Sequence, residues 1–375
     1  MDQATHKHPF ASMGSKPTCE ALICTAIGEV SIKTVPVQAI PDGYILIRTK
    51  AVALNPTDWK SIYAGDGGSI GTRPGIDFAG VVEEVGSGSK KSWNKGDRVF
   101  GGVWGAKDAE SGAFGEYIIA KGDLLAEIPD ELSFEDAATL AVGIMTCGQS
   151  LYQLLKLPLP TITPEDRPSS KKPRAIFIYG GSTASGIFGI QFAKLSGLVV
   201  LTTASPHNFE YLRSLGADAV FDYHDDVETL AGEIKKHTKG NLTIAWDCRP
   251  GPESGRLCAL AMSDSEKGMY ATLQPRTPHD HLHGTNPMVD TYFTIGYTVF
   301  GEPFTRAGRR YEARPEDAAF AKDFWEFGQD LVAAGKVKIP RLEINRGGSG
   351  LKGVIQGLET LRLGQVSSKK LVYTL

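Results

Sequence analysis

The stretch Tyr179-Gly180-Gly181-Ser182-Thr183-Ala184-Ser185-Gly186 decides the fold class. It follows the apolar run Ala175-Ile-Phe-Ile-Tyr179, which predicts a buried strand, and it precedes a helix predicted over residues 186–196. Glycines let a pyrophosphate approach the backbone, and the N–H groups and dipole of the next helix attract its charge. The spacing is not a strict GxGxxG, so the alternative interpretation is a tight turn between a strand and a helix. The strand–turn–helix–strand order favours a dinucleotide site.

The strand after this helix ends without a carboxylate. It is predicted over residues 198–203 and is followed by Ala204 and by Ser205-Pro206-His207-Asn208. Sites for NAD usually carry an acid here, about 20 residues after the glycines, to bind the ribose. Hydroxyl, imidazole and amide groups can instead donate to a 2′-phosphate, so the sequence predicts NADPH. The alternative is an ordinary loop whose serine caps the next helix.

The wider pattern predicts an α/β protein. Residues 146–338 alternate strands with helices, which is typical of a doubly wound parallel sheet. Residues 19–145 contain short strands between Gly-rich turns, which predicts a small barrel-like unit. Residues 1–18 are predicted to be a disordered lead. Residues 339–375 end in a strand predicted over 370–375, which needs a sheet and is expected to return to the N-terminal unit.

Composition excludes several classes of protein. Of the 375 residues, 41% are hydrophobic and 22% are charged, the balance of a soluble globular protein. The net charge of −3 gives no reason to expect nucleic acid or membrane partners. No apolar run approaches the roughly 20 residues of a spanning helix, and no signal peptide is evident. The 5 cysteines are odd in number and scattered, which predicts a cytoplasmic protein.

Two clusters could be taken for metal sites. Cys19 and Cys24 have a loose metal-like spacing, but they begin a predicted strand and are interpreted as core residues. The alternating histidines of His279-Asp-His281-Leu-His283 could ligate a metal from one face of a strand. Their surroundings are rich in Pro, Asp and Gly, so a solvated loop is the favoured interpretation.

Four further motifs complete a family pattern: Asn55-Pro-Thr-Asp58, Gly75-Ile-Asp-Phe-Ala-Gly80, Gly96-Asp-Arg-Val99 and Leu215-Gly-Ala-Asp218. In this order, together with the glycine-rich turn, they resemble the medium-chain dehydrogenase/reductase superfamily. The resemblance runs over nearly the whole chain. It implies a GroES-like catalytic domain, to which the C-terminal tail returns, and a Rossmann domain between the two parts.

A closer resemblance is to the trans-acting enoyl reductases that serve fungal polyketide synthases. It rests on Val52-Ala-Leu-Asn-Pro-Thr-Asp58, Leu157-Pro-Leu-Pro160, the Tyr179 turn, Ser205-Pro-His-Asn-Phe209 and Val299-Phe-Gly-Glu302. The resemblance implies NADPH as cofactor and an unsaturated thioester on an acyl carrier domain as substrate.

The resemblance also implies the site residues. Those expected at the cofactor are Thr57, Asp58, Trp59, Lys60, Gly180, Gly181, Ser182, Thr183, Ala184, Ser185, Ser205, Pro206, His207, Asn208, Tyr223, Leu273, Gln274, Val366 and Ser367. Those expected along an acyl tunnel are Thr146, Cys147, Gly148, Gln149, Ser150, Leu151, Tyr152, Gln153, Leu154, Gly296, Tyr297, Thr298, Val299, Phe300 and Gly301. Lys60 and Thr146 are the residues expected to act in catalysis, and a solvated surface lysine is the alternative interpretation of Lys60.

The same comparison argues against zinc. Zinc alcohol dehydrogenases of the superfamily carry a Cys where this chain has Asn55, and Gly-His-Glu where it has Gly75-Ile76-Asp77. Without the three soft or imidazole ligands of a catalytic zinc, reduction of an activated C=C bond is favoured over oxidation of an alcohol. Some related reductases place a tyrosine at the position of Asp66, so no proton donor is assigned.

Partners and competing functions complete the hypothesis. Arg306, Arg309, Arg310 and Arg314 form a basic loop that suits an acidic carrier domain, with a solvated face as the alternative. A free quinone or enone reductase and an NADPH-binding protein without turnover remain the competing functions. We expect a monomer, because the loop at residues 158–173 and the loop at Pro303 can block the sheet edge through which the family usually dimerises.

Overall fold

The fold is described from a computed structural model of the chain. The structure describes residues 17–63, 69–160, 174–274, 279–306 and 309–375, with only the backbone for residues 279–281. The predicted disordered lead therefore lies outside the described residues, except that Thr18 already begins the first strand. Asp66 and residues 161–173 of the predicted loop also lie outside them. Within the described part of the chain, no helix has the length and apolar character needed to cross a membrane.

The strands are β1 (Thr18–Ala26), β2 (Glu29–Pro36), β3 (Tyr44–Ala53), β4 (Asp77–Val85), β5 (Arg98–Gly102), β6 (Tyr117–Lys121), β7 (Leu125–Glu127), β8 (Ala175–Tyr179), β9 (Val199–Ala204), β10 (Ala219–Asp222), β11 (Ile244–Asp247), β12 (Gly268–Thr272), β13 (Val289–Phe293), β14 (Phe304–Arg306), β15 (Arg309–Tyr311), β16 (Leu342–Ile344) and β17 (Lys370–Thr374). The α-helices are α1 (Pro56–Ile62), α2 (Phe134–Ala137), α3 (Ala141–Cys147), α4 (Ala184–Leu195), α5 (Phe209–Ser214), α6 (Val227–Thr238), α7 (Pro252–Ala261), α8 (His279–Thr285), α9 (Pro315–Ala333) and α10 (Gly350–Arg362).

A six-stranded parallel sheet forms one half of the fold, the Rossmann half, which confirms the predicted doubly wound fold. Its order is β10-β9-β8-β11-β12-β13, the order of a Rossmann sheet. Its strands are nearly continuous in buried apolar residues, as expected for a sheet covered on both faces. The strand order reverses between β8 and β11, and ligands bind at the carboxyl ends of strands beside such a switch point.

The catalytic half is a mostly antiparallel sheet that includes the C-terminal strand. Its order is β16-β17-β3-β4-β5-β7, with β6 also paired to β3. Strand β17 runs antiparallel to β3 and places Val372 opposite Ala53. The prediction that the final strand pairs with the N-terminal unit is therefore confirmed. The short β1–β2 hairpin packs outside this sheet.

Local predictions had mixed outcomes. Ser133 followed three residues later by Asp136 predicts a helix start, and Ser133 does cap α2, because its Oγ accepts from the Asp136 amide at 3.0 Å. Cys19 and Cys24 are buried, as predicted for core residues. Residues 148–154 were predicted as an ordinary helix and instead form a π-helix that continues α3. The loop predicted around His281 is wrong, since His279–Thr285 forms helix α8, where Leu282 is buried against the sheet.

Candidate functional site

The glycine-rich turn after β8 has the geometry of a phosphate cradle. Gly180 has φ of +81°, a conformation that favours glycine. A Cβ added to Gly181 would lie 2.1 Å from Thr202 Oγ1, so the backbone there packs directly on β9. Thr183 caps α4 through its Oγ1, which accepts from the Gly186 amide at 3.0 Å. The first amides of α4, from Ala184 on, have no partner within the helix, and the residues present therefore fit a pyrophosphate.

The residues predicted for the adenosine 2′-phosphate meet at the end of β9. Ser205 Oγ donates to Tyr223 Oη at 3.2 Å. Asn208 Nδ2 donates to Ser367 Oγ at 3.2 Å, and His207 Nε2 lies 3.3 Å from the same hydroxyl. Segments more than 150 residues apart thus supply one cluster of hydroxyl, amide and imidazole groups. Its chemistry suits a phosphate better than a ribose hydroxyl alone.

A cavity of about 510 Å³ adjoins this cluster at the carboxyl ends of β8 and β10. Tyr179 and Tyr223 give it two aromatic faces. Burial, with nearby Asp247 as the next cause, raises the pKa of Tyr179 to about 12, so its hydroxyl is a neutral hydrogen-bond donor.

Helix α1, in the N-terminal sheet half, carries the predicted cofactor residues Thr57, Asp58, Trp59 and Lys60, and Asp58 is the buried one. The carboxyl group of Asp58 accepts a hydrogen bond from the Asn55 backbone amide at 2.7 Å. The Asp58 residue is only 2% exposed. Burial, with a smaller contribution from the neighbouring Asp77, raises the pKa of Asp58 to about 8. Asp58 Oδ1 has no hydrogen-bond partner in the structure. Through its bond from the Asn55 amide, Asp58 stabilises the start of α1.

Lys60 lies in the last turn of α1 with an exposed side chain. Its ammonium is 5.8 Å from the ring centre of Trp59, within the range of a cation–π contact. Partial desolvation, with Arg306 as the second cause, lowers the pKa of Lys60. The amine is thus accessible, and its pKa lies below that of an ordinary surface lysine.

Arg306 corrects one part of the predicted basic loop. Its Nη2 donates to Thr57 Oγ1 at 3.1 Å, and its guanidinium lies 4.6 Å from the ring centre of Tyr297. The Tyr297 hydroxyl is 3.0 Å from Thr57 Oγ1. Arg306 therefore lines the cleft beside Lys60, whereas Arg309 and Arg310 on β15 remain exposed. Arg314 is exposed as well and lies 3.8 Å from Asp317.

Trp104 and Glu302, whose roles were not predicted, fasten the segment after β13 to the catalytic half. The Trp104 ring stacks on Tyr297 and on Phe300, each with ring centres 5.3 Å apart. Glu302 accepts from Lys107 at 2.6 Å and pairs with Lys121 at 2.8 Å. The family resemblance of Val299-Phe-Gly-Glu302 was the only sequence feature that pointed to this segment. Its contacts could not be predicted, because the partner residues lie about 180–195 residues upstream.

The residues predicted for the acyl tunnel separate into two groups. Gln149 Nε2 donates to Thr298 Oγ1 at 2.9 Å, and Ser150 Oγ is 2.7 Å from Thr294 Oγ1, so the π-helix faces the segment after β13. A cavity of about 260 Å³ lies there, bordered by Gln153 and Leu154 among others. Its lining is largely polar.

The second group is buried. Leu151 is fully buried in the core, and Tyr152 donates from its hydroxyl to the Phe192 carbonyl at 3.1 Å. Cys147 is also buried, and burial raises the pKa of its thiol well above its usual range. Gly148 packs on Phe324, where an added Cβ would lie 2.5 Å from the ring. These contacts are those of core residues.

The remaining predicted residues lie on several elements of the fold. Thr146 is half-buried on α3, two residues before the π-helix begins. Leu273 and Gln274 follow β12 and are half-buried. Val366 is half-buried against the catalytic core, one residue before Ser367. Pro206 is exposed, whereas Val299 is buried and Gly296 and Gly301 bound the turn that carries Tyr297 and Phe300.

A buried lysine stands at the corner where related enzymes place zinc ligands. Lys370 Nζ donates to Asn55 Oδ1 at 2.6 Å and to Asp77 Oδ2 at 2.9 Å. Asn55 Nδ2 donates to the same Asp77 oxygen at 2.9 Å. Among the described residues no group of three or more His, Cys, Asp or Glu could hold a metal ion. An amide, a carboxylate and an ammonium group satisfy one another here, and this set does not fit zinc.

Comparisons with known proteins agree with this architecture. Residues 41–130 match the family "Alcohol dehydrogenase GroES-like domain" and residues 184–264 match "Zinc-binding dehydrogenase". The second match lies wholly within the Rossmann half, so its name does not concern the corner around Lys370. Among solved structures, a putative zinc-dependent alcohol dehydrogenase of Rhizobium etli has a TM-score of 0.77 at 19% identity, covering 96% of this chain and 99% of that one. The CurK enoyl reductase has a TM-score of 0.73 at 16% identity, covering 95% and 99%, and both share the fold.

Sequence relatives are more specific. A trans-enoyl reductase of Aspergillus sclerotiorum is 42% identical over 369 residues, covering 94% of this chain and 99% of the relative. The enoyl reductase component of the lovastatin nonaketide synthase of Aspergillus terreus is 36% identical over 368 residues, covering 96% and 97%. Identity at this level over almost the full length of both proteins shows the family. The chain therefore belongs to the trans-enoyl reductases, within the medium-chain dehydrogenase/reductase superfamily.

Proposed function

We propose that this enoyl reductase uses NADPH to reduce α,β-unsaturated polyketide thioesters presented by the carrier domain of a separate synthase. The observation that carries the cofactor assignment is the cluster of Ser205, His207, Asn208 and Ser367 at the end of β9, where no carboxylate follows the strand. The substrate class is supported by the relatives, which are named as trans-enoyl reductases and as a component of a polyketide synthase.

The residues that would hold the cofactor run along the carboxyl edge of the parallel sheet. The turn from Gly180 to Ser185 would take the pyrophosphate on the first amides of α4. Ser205, His207, Asn208 and Ser367 would donate to the 2′-phosphate. Helix α1, with Thr57 and Lys60, would lie at the nicotinamide end. Leu273, Gln274 and Val366 would border the path between the two ends.

Reduction of the C=C bond requires groups that stabilise negative charge on the substrate more than it requires a metal ion. A bound reduced nicotinamide supplies a hydride to the β-carbon of the enoyl thioester. Negative charge then develops on the thioester oxygen, and a proton is added at the α-carbon. Lys60 and Arg306 place two cationic groups beside Thr57, so the protein offers donors for that oxygen in the cleft. Thr146 would lie on the substrate side of the site.

The cofactor assignment is tested by changing its donors together. The variant S205A/H207A/N208A is expected to raise KM for NADPH at least tenfold, since it removes donors to the 2′-phosphate, and to change KM for NADH less than threefold. Ser214→Ala, at the far end of α5, is the matched control and is expected to change neither. Equal losses for the two cofactors would overturn the assignment.

The substrate assignment is tested with three acceptors under the same NADPH assay. Oxidation of NADPH with a crotonyl thioester, and more efficiently with an enoyl polyketide on a carrier domain, is the expected result. Turnover of a quinone alone would replace the proposal with a free quinone reductase. Binding of NADPH without turnover of any acceptor would favour a non-catalytic role.

A further inference from the structure

Three buried polar residues form a hub that joins distant parts of the chain. Asn55, Asp77 and Lys370 are 2%, 0% and 3% exposed, respectively. The Lys370 ammonium, in strand β17, bridges Asn55 Oδ1 at 2.6 Å and Asp77 Oδ2 at 2.9 Å. A charged pair this deeply buried persists only where its remaining hydrogen bonds are satisfied.

The hub caps the helix on the substrate side. Helix α3 has Leu140 at its N-cap position, so it has no side-chain cap of its own. Asp77 Oδ1, from β4, supplies the acceptor by binding the Val142 amide at 2.8 Å. A carboxylate at a helix N-terminus is stabilised by the helix dipole and fixes the position of the first turn. Helix α3 then leads to Thr146.

The hub also holds the helix on the cofactor side. Asn55 occupies the N-cap position of α1, but its side chain does not cap the helix and faces Lys370 and Asp77 instead. The first turn of α1 is thereby fixed to β17 and β4. Helix α1 carries Thr57 and Lys60, so one ammonium group connects the starts of the two helices that border the cleft.

We propose that Lys370 is a positioning residue for the reaction: through Asp77 and Asn55 its ammonium fixes α1 and α3 relative to each other, and with them Lys60 and Thr146. This inference rests on the proposed function for those two residues. Lys370 reaches the reaction only through other residues, and no part of the cofactor or substrate is expected to touch it.

The electrostatic surroundings agree with this role. The groups that face Asp58 from α1, β4, β17 and β14 are Asn55, Asp77, Lys370 and Arg306. Lys370 and Arg306 lower the pKa of Asp58 and Asp77 raises it, although burial is the largest cause of its shift. Loss of the Lys370 charge therefore leaves two carboxyl groups facing each other at the base of α1.

The main test compares Lys370→Met with Val372→Ala, which deletes buried methyl groups from the same strand without touching the hub. Both variants are expected to lower Tm. In Lys370→Met, kcat with a crotonyl thioester is expected to fall at least tenfold, with KM for NADPH changed less than threefold. In Val372→Ala, kcat is expected to stay within twofold of the wild type. Equal loss of kcat in the two variants, or normal kcat in Lys370→Met, would overturn the proposal.

A second variant covers the case in which Lys370→Met does not fold. D77N/K370M leaves no unpaired buried charge, and a turned Asn55 amide can pair with the new side-chain amide. This variant is expected to fold and to keep a kcat at least tenfold below that of the wild type, because α1 is no longer tied to β17. Normal kcat in the double variant would also overturn the proposal.

Amide hydrogen exchange separates this inference from the proposed function. Exchange of the Val142 amide is measured without substrate, and its protection is expected to fall at least tenfold in Lys370→Met and less than twofold in Val372→Ala. Unchanged protection in Lys370→Met would overturn the hub. Absence of turnover in the wild type would instead refute the proposed function and leave the exchange result standing.

Discussion

The ionisation of Asp58 makes the free energy of unfolding depend on pH. Asp58 is buried, and its pKa rises from an ordinary 3.8 to about 8 on folding, chiefly through desolvation. The folded state therefore keeps a proton that the unfolded chain releases above about pH 4. The contribution of Asp58 to stability falls as pH rises from about 4 to about 8 and is constant above that range.

Replacement of Asp58 by asparagine should remove this dependence. The substituted amide cannot ionise, and its oxygen can still accept from the Asn55 amide. We expect D58N to gain about 2–4 kcal/mol in unfolding free energy relative to the wild type between pH 5 and pH 9, at about 1.4 kcal/mol per pKa unit. Urea unfolding at the two pH values measures this difference.

Asp226→Asn provides a control, because the pKa of Asp226 is lowered on folding, whereas that of Asp58 is raised. Asp226 caps α6, and its bonds from the Thr229 amide and hydroxyl lower its pKa. Its carboxylate is therefore ionised at both pH values, so D226N should show the same stability difference from the wild type at each. A D58N difference that is equally independent of pH would contradict the assignment of a protonated Asp58.

Individual residues show which contacts could be predicted from the sequence and which could not. Ser205, His207 and Asn208 were predictable, because they follow a recognisable strand and lie within four residues of one another. Lys370 was not, because its partners Asn55 and Asp77 lie 315 and 293 residues away and no local pattern links them. Arg306 was placed on the surface for the same reason: its contact with Thr57 spans 249 residues.

The hairpin of β14 and β15 is the element best suited to contact an acidic partner. Arg309 and Arg310 are exposed on β15, while Arg306 on β14 turns into the cleft. The hairpin therefore connects a basic surface with the site itself. Charges at the rim of an interface act mainly on association rate and on its salt dependence.

Reversal of these two charges should affect only carrier-bound substrate. In R309E/R310E we expect kcat/KM for a carrier-bound enoyl thioester to fall about tenfold at low salt and to lose its salt dependence, because steering charges are reversed. Turnover of a free crotonyl thioester should stay within twofold. Steady-state assays at two salt concentrations measure both effects.

The matched control is K236E/K239E, at the C-terminal end of α6. Helices of a parallel sheet run back toward its amino edge, so this end lies away from the carboxyl edge that bears the cleft. The control should leave both substrates unaffected. A similar loss for the free thioester in R309E/R310E would mean that the hairpin acts on the site and not on the carrier domain.

Element types were predicted more reliably than their details. The strands of the parallel sheet were predicted from apolar runs between glycine-rich turns. The pairing of β17 was predicted because a terminal strand needs a partner sheet. The π-helix at Gly148–Leu154 was predicted only as a helix, because its extra residue per turn depends on packing against Phe324 and on bonds to Thr294 and Thr298. Helix α8 was not predicted, because a Pro- and Gly-rich stretch is typical of a loop. The helix depends on a tertiary contact, the packing of Leu282 against the sheet.

At the scale of the molecule, the corner around Lys370 predicts independence from zinc. A buried ammonium paired with Asp77 would repel a divalent cation, and neither Asn55 nor Ile76 supplies a soft or imidazole ligand. We expect incubation with EDTA to leave kcat within twofold and purified protein to contain only substoichiometric zinc by elemental analysis. Loss of activity on chelation that zinc restores would contradict this prediction.

The pairing of β17 with β3 has a consequence for how the protein folds. Leu54 and Leu371 share a backbone hydrogen bond, and the whole Rossmann half lies between them in the chain. Closing so long a loop from an unfolded chain is entropically costly and slow. A Rossmann half that has already folded brings the two flanking segments together and shortens the effective loop. The catalytic half should therefore complete its sheet last, so the corner formed by Asn55, Asp77 and Lys370 should be among the latest regions protected in a refolding experiment.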